Sequence, residues 1–347
     1  MNIDLVATAI ALTTFFGISA LMALSLNLEY GIAGIPNFGK ALFVSLGAYT
    51  AALTYTYILP RLGAHTPIYP CGATLTDALE LRTGIIRNAL DVGLFNFVIT
   101  LIIAAFVGGL AGYLAAYPAL RLKEEWYLAL VLLVASEIVR IIVRGYEPII
   151  CASNGLSGVA QPFVALNNPR LSSLLFASVV LVLVAIVYVY SERLVRSPYG
   201  RLLKAIREND QVAQSLGKRV ARIRAQVMVI GSAIAALAGV LFVVNLGFAS
   251  ANDYSVALTL DVWVMVVIGG IGNHRGALLG AFIVTILDRV TTIAAIQLGT
   301  LGSTIEFTYI RFILFGLIIL VMLRYRPQGL LPERPQSTQA HEVLETA

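Results

Sequence analysis

Apolar residues run along this chain in long stretches, without the ~10-residue alternating pattern of a membrane β-barrel strand. A membrane-crossing helix needs roughly 20 mainly apolar residues. Candidate spans are Leu5–Asn27, Phe38–Leu59, Leu94–Leu120, Tyr127–Val143, Leu171–Tyr190, Gln226–Leu246 and Thr308–Leu323. The region Val256–Thr292 is longer but interrupted by Gly269, Gly270, Gly272, Gly276 and Gly280, with Asn273, His274 and Arg275 in its middle. It reads as two short helices joined by a glycine turn. Such backbone is tolerated at membrane depth only where protein or a water-filled cavity covers it. The alternative is close helix packing on small residues. The pattern therefore predicts an all-α polytopic membrane protein with about eight to ten spans, including this broken glycine-rich pair.

Composition sharpens the picture. Of 347 residues, 59% are apolar and 12% charged, against about 25% charged in an ordinary soluble domain. Mean hydropathy is +0.86. A soluble core of this length could not hide so much apolar surface. A soluble enzyme, a disordered chain and a nucleic-acid binder are excluded, although the pI of about 9.2 hints at the last. The basic excess is local: Glu192–Arg224 holds nine basic residues and three acids, a net +6 against +5 for the whole chain. By the Lys/Arg bias that loop is cytoplasmic. Counting outward, Arg121-Leu122-Lys123 and the tail from Arg324 lie inside, Pro60–Gly93 and Arg144–Arg170 outside, and the N-terminus outside. The scheme closes only if Val256–Thr292 crosses twice. The first 39 residues carry no Lys or Arg, so Leu5–Asn27 reads as a retained span and not a signal peptide.

Candidate chemistry is sparse. Gly34 to Lys40 has the spacing GxxxxGK, but a P-loop needs Ser or Thr next for Mg²⁺, and here Ala41 follows between two spans. It reads as a turn, so no nucleotide site, cofactor or metal is expected. Ser197 and Pro198 suit an N-cap and first helical position, and Gly217 suits a C-cap. The helix between is amphipathic and basic. It is either a lipid-touching juxtamembrane helix or a docking surface for a cytoplasmic partner. Glu137 and Arg140, three apart within a span, form an internal ion pair or a substrate ligand. Asp261, Asp288 and Arg311 are expected near the interfaces. Cys71 and Cys151 share the external side; free thiols are expected, although a bond is permitted there.

Six stretches, in order, resemble the LivM-type permeases of branched-chain amino-acid ABC importers. They are Asn27-Leu-Glu-Tyr-Gly-Ile-Ala-Gly through Leu46-Gly-Ala-Tyr49, Ala135-Ser-Glu137-Ile-Val-Arg140, Ser153-Asn-Gly-Leu-Ser-Gly158, Ser197 through Gly217, Val266 through Gly280, and Arg326-Pro-Gln-Gly-Leu-Leu331. Lys40 departs from the neutral residue or His of many relatives, and the insert around Pro60–Asp91 is long. The resemblance implies a permease domain over residues 1–331, with a coupling loop over 192–225, and a cytoplasmic tail over 332–347. It implies a multi-pass protein of a prokaryotic cell membrane that is not itself an enzyme. Its partners would be a second, LivH-like permease, two cytoplasmic ATP-binding subunits of the LivG and LivF kinds, an external binding protein and membrane lipid. Arg201, Arg207, Glu208, Ala213, Leu216 and Gly217 would form the ATPase-coupling loop. Gly39, Gly47, Tyr49, Glu137, Arg140, Asn154, Gly269, Gly270 and Gly272 would line or gate the pathway. A secondary transporter would need several acids or His deep in the spans, and only Glu137 qualifies. A membrane hydrolase would need a nucleophile with its base, and no His lies inside a clear span.

Overall fold

The structure, a computed structural model, describes residues 4–119, 125–166, 168–299 and 310–333. The stretch Arg121-Leu122-Lys123 and all of the tail from residue 334 lie outside them. In chain order the helices are α1 (Leu5–Leu26), α2 (Lys40–Leu53), α3 (Leu59–Leu62), α4 (Leu75–Asn88), α5 (Leu90–Ala119), α6 (Glu125–Gly145) and α7 (Glu147–Ile150). Then follow α8 (Pro169–Arg196), α9 (Pro198–Glu208), α10 (Asp210–Ser215), α11 (Val220–Leu246), α12 (Val256–Gly269), α13 (His274–Gly299) and α14 (Ile310–Tyr325). Wider π-helical turns extend α1 over Asn27–Ile32 and α2 over Thr54–Ile58. Two short strands, β1 (Leu156–Ser157) and β2 (Phe248–Ala249), pair antiparallel. Every long apolar run became a helix, and among the described residues six are long and apolar enough to cross a membrane.

Helix α11 is the axis of the bundle. It packs on α1, α2 and α5 through residues too small to hold neighbours apart. A Cβ at Gly47 would sit on the Ala236 carbonyl, and one at Gly239 on the Val44 carbonyl. Gly112 lies as closely against Met228 and Ser232. Lipid tails are as apolar as Leu, so association in a bilayer rests on such close packing and on interhelical hydrogen bonds. The outward face of α5 is the opposite kind of surface. Phe95, Ile102, Phe106 and Leu114 along it are all more than half exposed; a stripe that long is stable against acyl chains but not against water.

The ends of the bundle separate cleanly. At one end Asp4 pairs with Arg170 at 2.6 Å, and Gly158 N–H donates to the Gly247 carbonyl. At the other end lie the basic loop, the α12–α13 turn and the segment after α14. The insert after α2 folds as α3 and α4. There Arg82 is buried, donating to the Ala78 carbonyl at 2.9 Å and to Thr56 Oγ1 at 3.2 Å; burial pushes its guanidinium down to about 10.

Three expectations change. Cys71 and Cys151 are not free thiols: their Cα atoms lie 5.4 Å apart and they form a disulfide, because the loop ahead of α4 lies against α7 and the residue after it. The glycine-rich region is a helical hairpin in which α13, at 26 residues, is not short. It combines the expected turn with its alternative, since Gly269 and Gly276 meet backbone to backbone. The basic loop is two helices, not one, because Asn209 leaves the helical conformation and its side chain accepts from Val212 N–H at 3.0 Å, capping α10.

Candidate functional site

The polar core of the bundle begins in α1, whose last turn and π extension carry Ser25, Asn27 and Glu29. All are fully buried, as are Asn37 and Lys40. Lys40 is the first residue of α2, and its ammonium lies 2.6 Å from Glu29 Oε2 with both side chains 0% exposed. Lys40 also donates to Ser25 Oγ at 2.6 Å, and Ser25 passes a bond on to the Gly231 carbonyl of α11 at 2.7 Å. Asn37 donates to the same Glu29 oxygen at 2.7 Å while accepting from Gly39 N–H. The chain between the two spans is thus not helical, yet its backbone is satisfied. Ile35 N–H finds the Glu29 carbonyl, Ala41 N–H finds Thr259 Oγ1, and the Asn37 carbonyl accepts from Trp263 Nε1. A buried pair survives only where further hydrogen bonds offset the cost of stripping two ions of water. Here Ser25 and Asn37 supply some of them, on Lys40 Nζ and Glu29 Oε2, while Glu29 Oε1 is buried without a hydrogen-bond partner among the described residues. The lysine of the GxxxxGK spacing is therefore committed to a carboxylate eleven residues back, on the π extension of α1, which accounts for its presence without a nucleotide.

A second cluster closes the α12–α13 turn. Gly272, at φ +83°, donates its N–H to Asn27 Oδ1 at 2.9 Å. That bond fixes the amide, so Asn27 Nδ2 donates to His274 Nδ1 at 2.9 Å, which places the ring proton on Nε2. The segment after α14 covers the turn. Leu330 and Leu331 N–H donate to the Ile268 and Gly269 carbonyls, each at 2.9 Å, and Asn273 Nδ2 donates to the Leu331 and Pro332 carbonyls. The turn is sealed by protein, as uncovered backbone at this position demands.

The basic loop forms the outer surface of this end. On α9, Leu203 and Ile206 are buried, with Ala213 of α10. Arg201 and Glu208 point outward, Val212 and Leu216 are 53% and 72% exposed, and Gly217 ends the element at φ +75°. The result is an apolar knob within a charged rim, the anatomy of a protein contact. Arg207 departs from its neighbours. It turns inward, donating to the Gly31 carbonyl and, at 2.8 Å, to Glu333 Oε2.

The other sequence candidates fall in separate places. Gly39 caps α2 against Leu132, and Gly47 sits on α11. Tyr49 is buried edge-on to Tyr254, with ring centroids 5.6 Å apart. Glu137 and Arg140 form the internal pair at 2.6 Å, each about a quarter exposed. Asn154 is exposed at the disulfide end. Gly269 and Gly270 pack on Gly276 and Leu331. Asp261 and Asp288 line a cleft of about 490 Å³ between α1, α11, α12 and α13, open to the surface at Asp253 and lined also by Arg289 and Met265. The side chain of Arg311 is outside the described residues. Among the described residues no group of His, Cys, Asp or Glu is arranged to hold a metal. Sequence reasoning passed over Ser25, Asn37 and Glu333, and noted His274 in the glycine turn without giving it a partner. An acid inside an apolar run, followed eleven residues later by a buried Lys, was the available signal.

Residues 8–323 match the family model described as the permease component of the branched-chain amino acid transport system. The chain is 34% identical to the probable branched-chain amino acid transport permease protein LivM of Methanocaldococcus jannaschii, over 96% of this chain and 95% of that protein. It is 27% identical to the high-affinity branched-chain amino acid transport system permease proteins LivM of Salmonella typhimurium and Escherichia coli, over 94% of this chain and 71% and 70% of theirs. No solved structure matches it.

Proposed function

We infer the function from one premise: the chain belongs to the family of permease components of branched-chain amino acid transport systems. It is a multi-pass membrane protein and a transporter component, not an enzyme. Beyond that, we propose that it is one membrane-spanning subunit of an ATP-driven importer in a prokaryotic cell membrane. It carries leucine, isoleucine, valine or a related amino acid inward. Its partners are a second permease of the LivH kind, cytoplasmic ATP-hydrolysing subunits and an external binding protein. The basic loop faces the cytoplasm and the disulfide end faces out.

The observation that carries this reading is the α9–α10 knob. Exposed Leu216 and Val212 would suit acyl chains as well as a protein groove, but anionic lipid repels the acids Glu208 and Asp210 beside them, whereas the charged rim of an ATPase groove accommodates both. Arg201, Glu208 and Gly217 form its rim. We place the pathway beside α2 and the α12–α13 hairpin. The cleft on that hairpin carries both signs of charge, which suits a zwitterion. The test is reconstitution: the chain with its partner subunits in proteoliposomes, supplied with a panel of amino acids and ATP. ATP-dependent uptake of a branched-chain amino acid that disappears in Leu216→Glu is the expected result. Uptake without any ATPase subunit would overturn the reading.

A further inference from the structure

The docking helices sit on the surface, and the hairpin and the end of α1 lie inside. Their displacement has to be joined by something. Glu333 lies where all three meet. Its Oε2 accepts from Arg207 at 2.8 Å and its Oε1 pairs with Lys204 at 2.7 Å, so both basic partners come from α9. Arg207 donates in turn to the Gly31 carbonyl at the end of the α1 extension. The backbone just before Glu333 is bonded to the hairpin through Leu330, Leu331 and Asn273. Space is tight: a Cβ on Gly272 would come within 2.6 Å of Glu333 Oε2. The two pairs are three-quarters or more buried, so water and salt screen them less than a surface pair.

We propose that Glu333 is a coupling residue. It clamps α9 to the α12–α13 turn, so that movement of the docking helices by the ATPase is delivered to the hairpin and to α1 as one body. The proposal rests on the docking assignment made above. Glu333 touches neither solute nor nucleotide; it is a positioning residue, and its loss shows in coupling before it shows in binding.

The test uses the assembled importer in proteoliposomes. In Glu333→Gln the complex assembles and ATP hydrolysis without binding protein is unchanged. The number of ATP molecules consumed per solute imported rises by about fivefold or more, the low end of a usual coupling effect. A second variant keeps the result decisive: Lys204→Cys with Glu333→Cys, joined by a short bifunctional thiol reagent. The native cysteines are already bonded to each other. Unlinked, this pair behaves like Glu333→Gln; linked, it regains the original ratio. An unchanged ratio in Glu333→Gln, a linked pair that stays uncoupled, or a loss confined to assembly and thermal stability would each overturn the proposal. If Leu216→Glu still assembles and transports normally, the docking assignment itself fails. If Leu216→Glu abolishes assembly while Glu333→Gln keeps its ratio, only the clamp fails.

Discussion

Removing the ammonium of Lys40 while keeping its bulk, as in Lys40→Met, is the most exacting test of the polar core. Both side chains of the Glu29–Lys40 pair are 0% exposed. The substitution leaves a carboxylate in the dry bundle with the Asn37 amide as its remaining side-chain donor. Breaking a buried pair by removing one partner typically costs about 3–5 kcal/mol. That is roughly a third of the 5–15 kcal/mol that holds an average domain. Glu29→Gln should cost a similar amount, since it strands Lys40 on Ser25. The double variant Glu29→Gln/Lys40→Met replaces both charges by neutral groups of like volume, and such exchanges are often neutral. Denaturation midpoints of the four proteins in one detergent give the cycle. The expected outcome is two large single losses and a double loss of under about 2 kcal/mol, so the interaction energy is about 4 kcal/mol or more, above the usual 0.5–3 kcal/mol range. Single losses below about 1 kcal/mol that simply add would show that water reaches the pair, and the reasoning about its burial would be wrong.

Four further outcomes follow from the same geometry. Gly47→Ala places a methyl group on the Ala236 carbonyl and should destabilise the α2–α11 contact by about 1–3 kcal/mol, visible as a lowered melting temperature. Asn209→Ala removes the α10 cap at about 1 kcal/mol; hydrogen exchange should speed up in α10 and not in α9. Unreduced, denatured protein should titrate with no free thiol, and Cys71→Ser should lower stability by about 2–4 kcal/mol; two titrated thiols would remove the bond. Cysteines at Arg275 and Leu216 should label with an impermeant reagent from the cytoplasmic face and one at Asn154 from the external face; any other pairing of sides breaks the proposed orientation.

The spans were legible because an unbroken apolar run has no alternative in a bilayer. Their ends were not: α8 continues through Glu192 to Arg196, past the point where lipid dictates composition. The break at Asn209 was hidden because Leu202, Ile206, Ala213 and Leu216 keep roughly helical spacing across it. The disulfide depends on the loop ahead of α4 folding against α7, which spacing alone does not encode. Glu29 and Lys40 sit eleven residues apart across a non-helical turn, where no periodic rule applies. Glu333 follows the last span and meets α9 across 126 residues of sequence. The exposed docking rim was legible because capping residues and charge announce a helix at an aqueous surface. The inward turn of Arg207 was not, because it is set by a carbonyl on another span.

The first two spans leave the ribosome long before the residues that complete them. Ser25 waits for the Gly231 carbonyl, the start of α2 for Thr259, and Asn27 for Gly272 and His274. Early in synthesis the hairpin of α1 and α2 therefore carries polar groups and unfilled backbone positions that nothing yet in the membrane can satisfy. It stays incomplete until α11, α12 and the start of α13 arrive. A nascent chain halted before residue 220 exposes this unfinished edge, and so would a chain whose C-terminal half is misread. The bonds that make the mature bundle dry are thus completed last, by the C-terminal half of the chain.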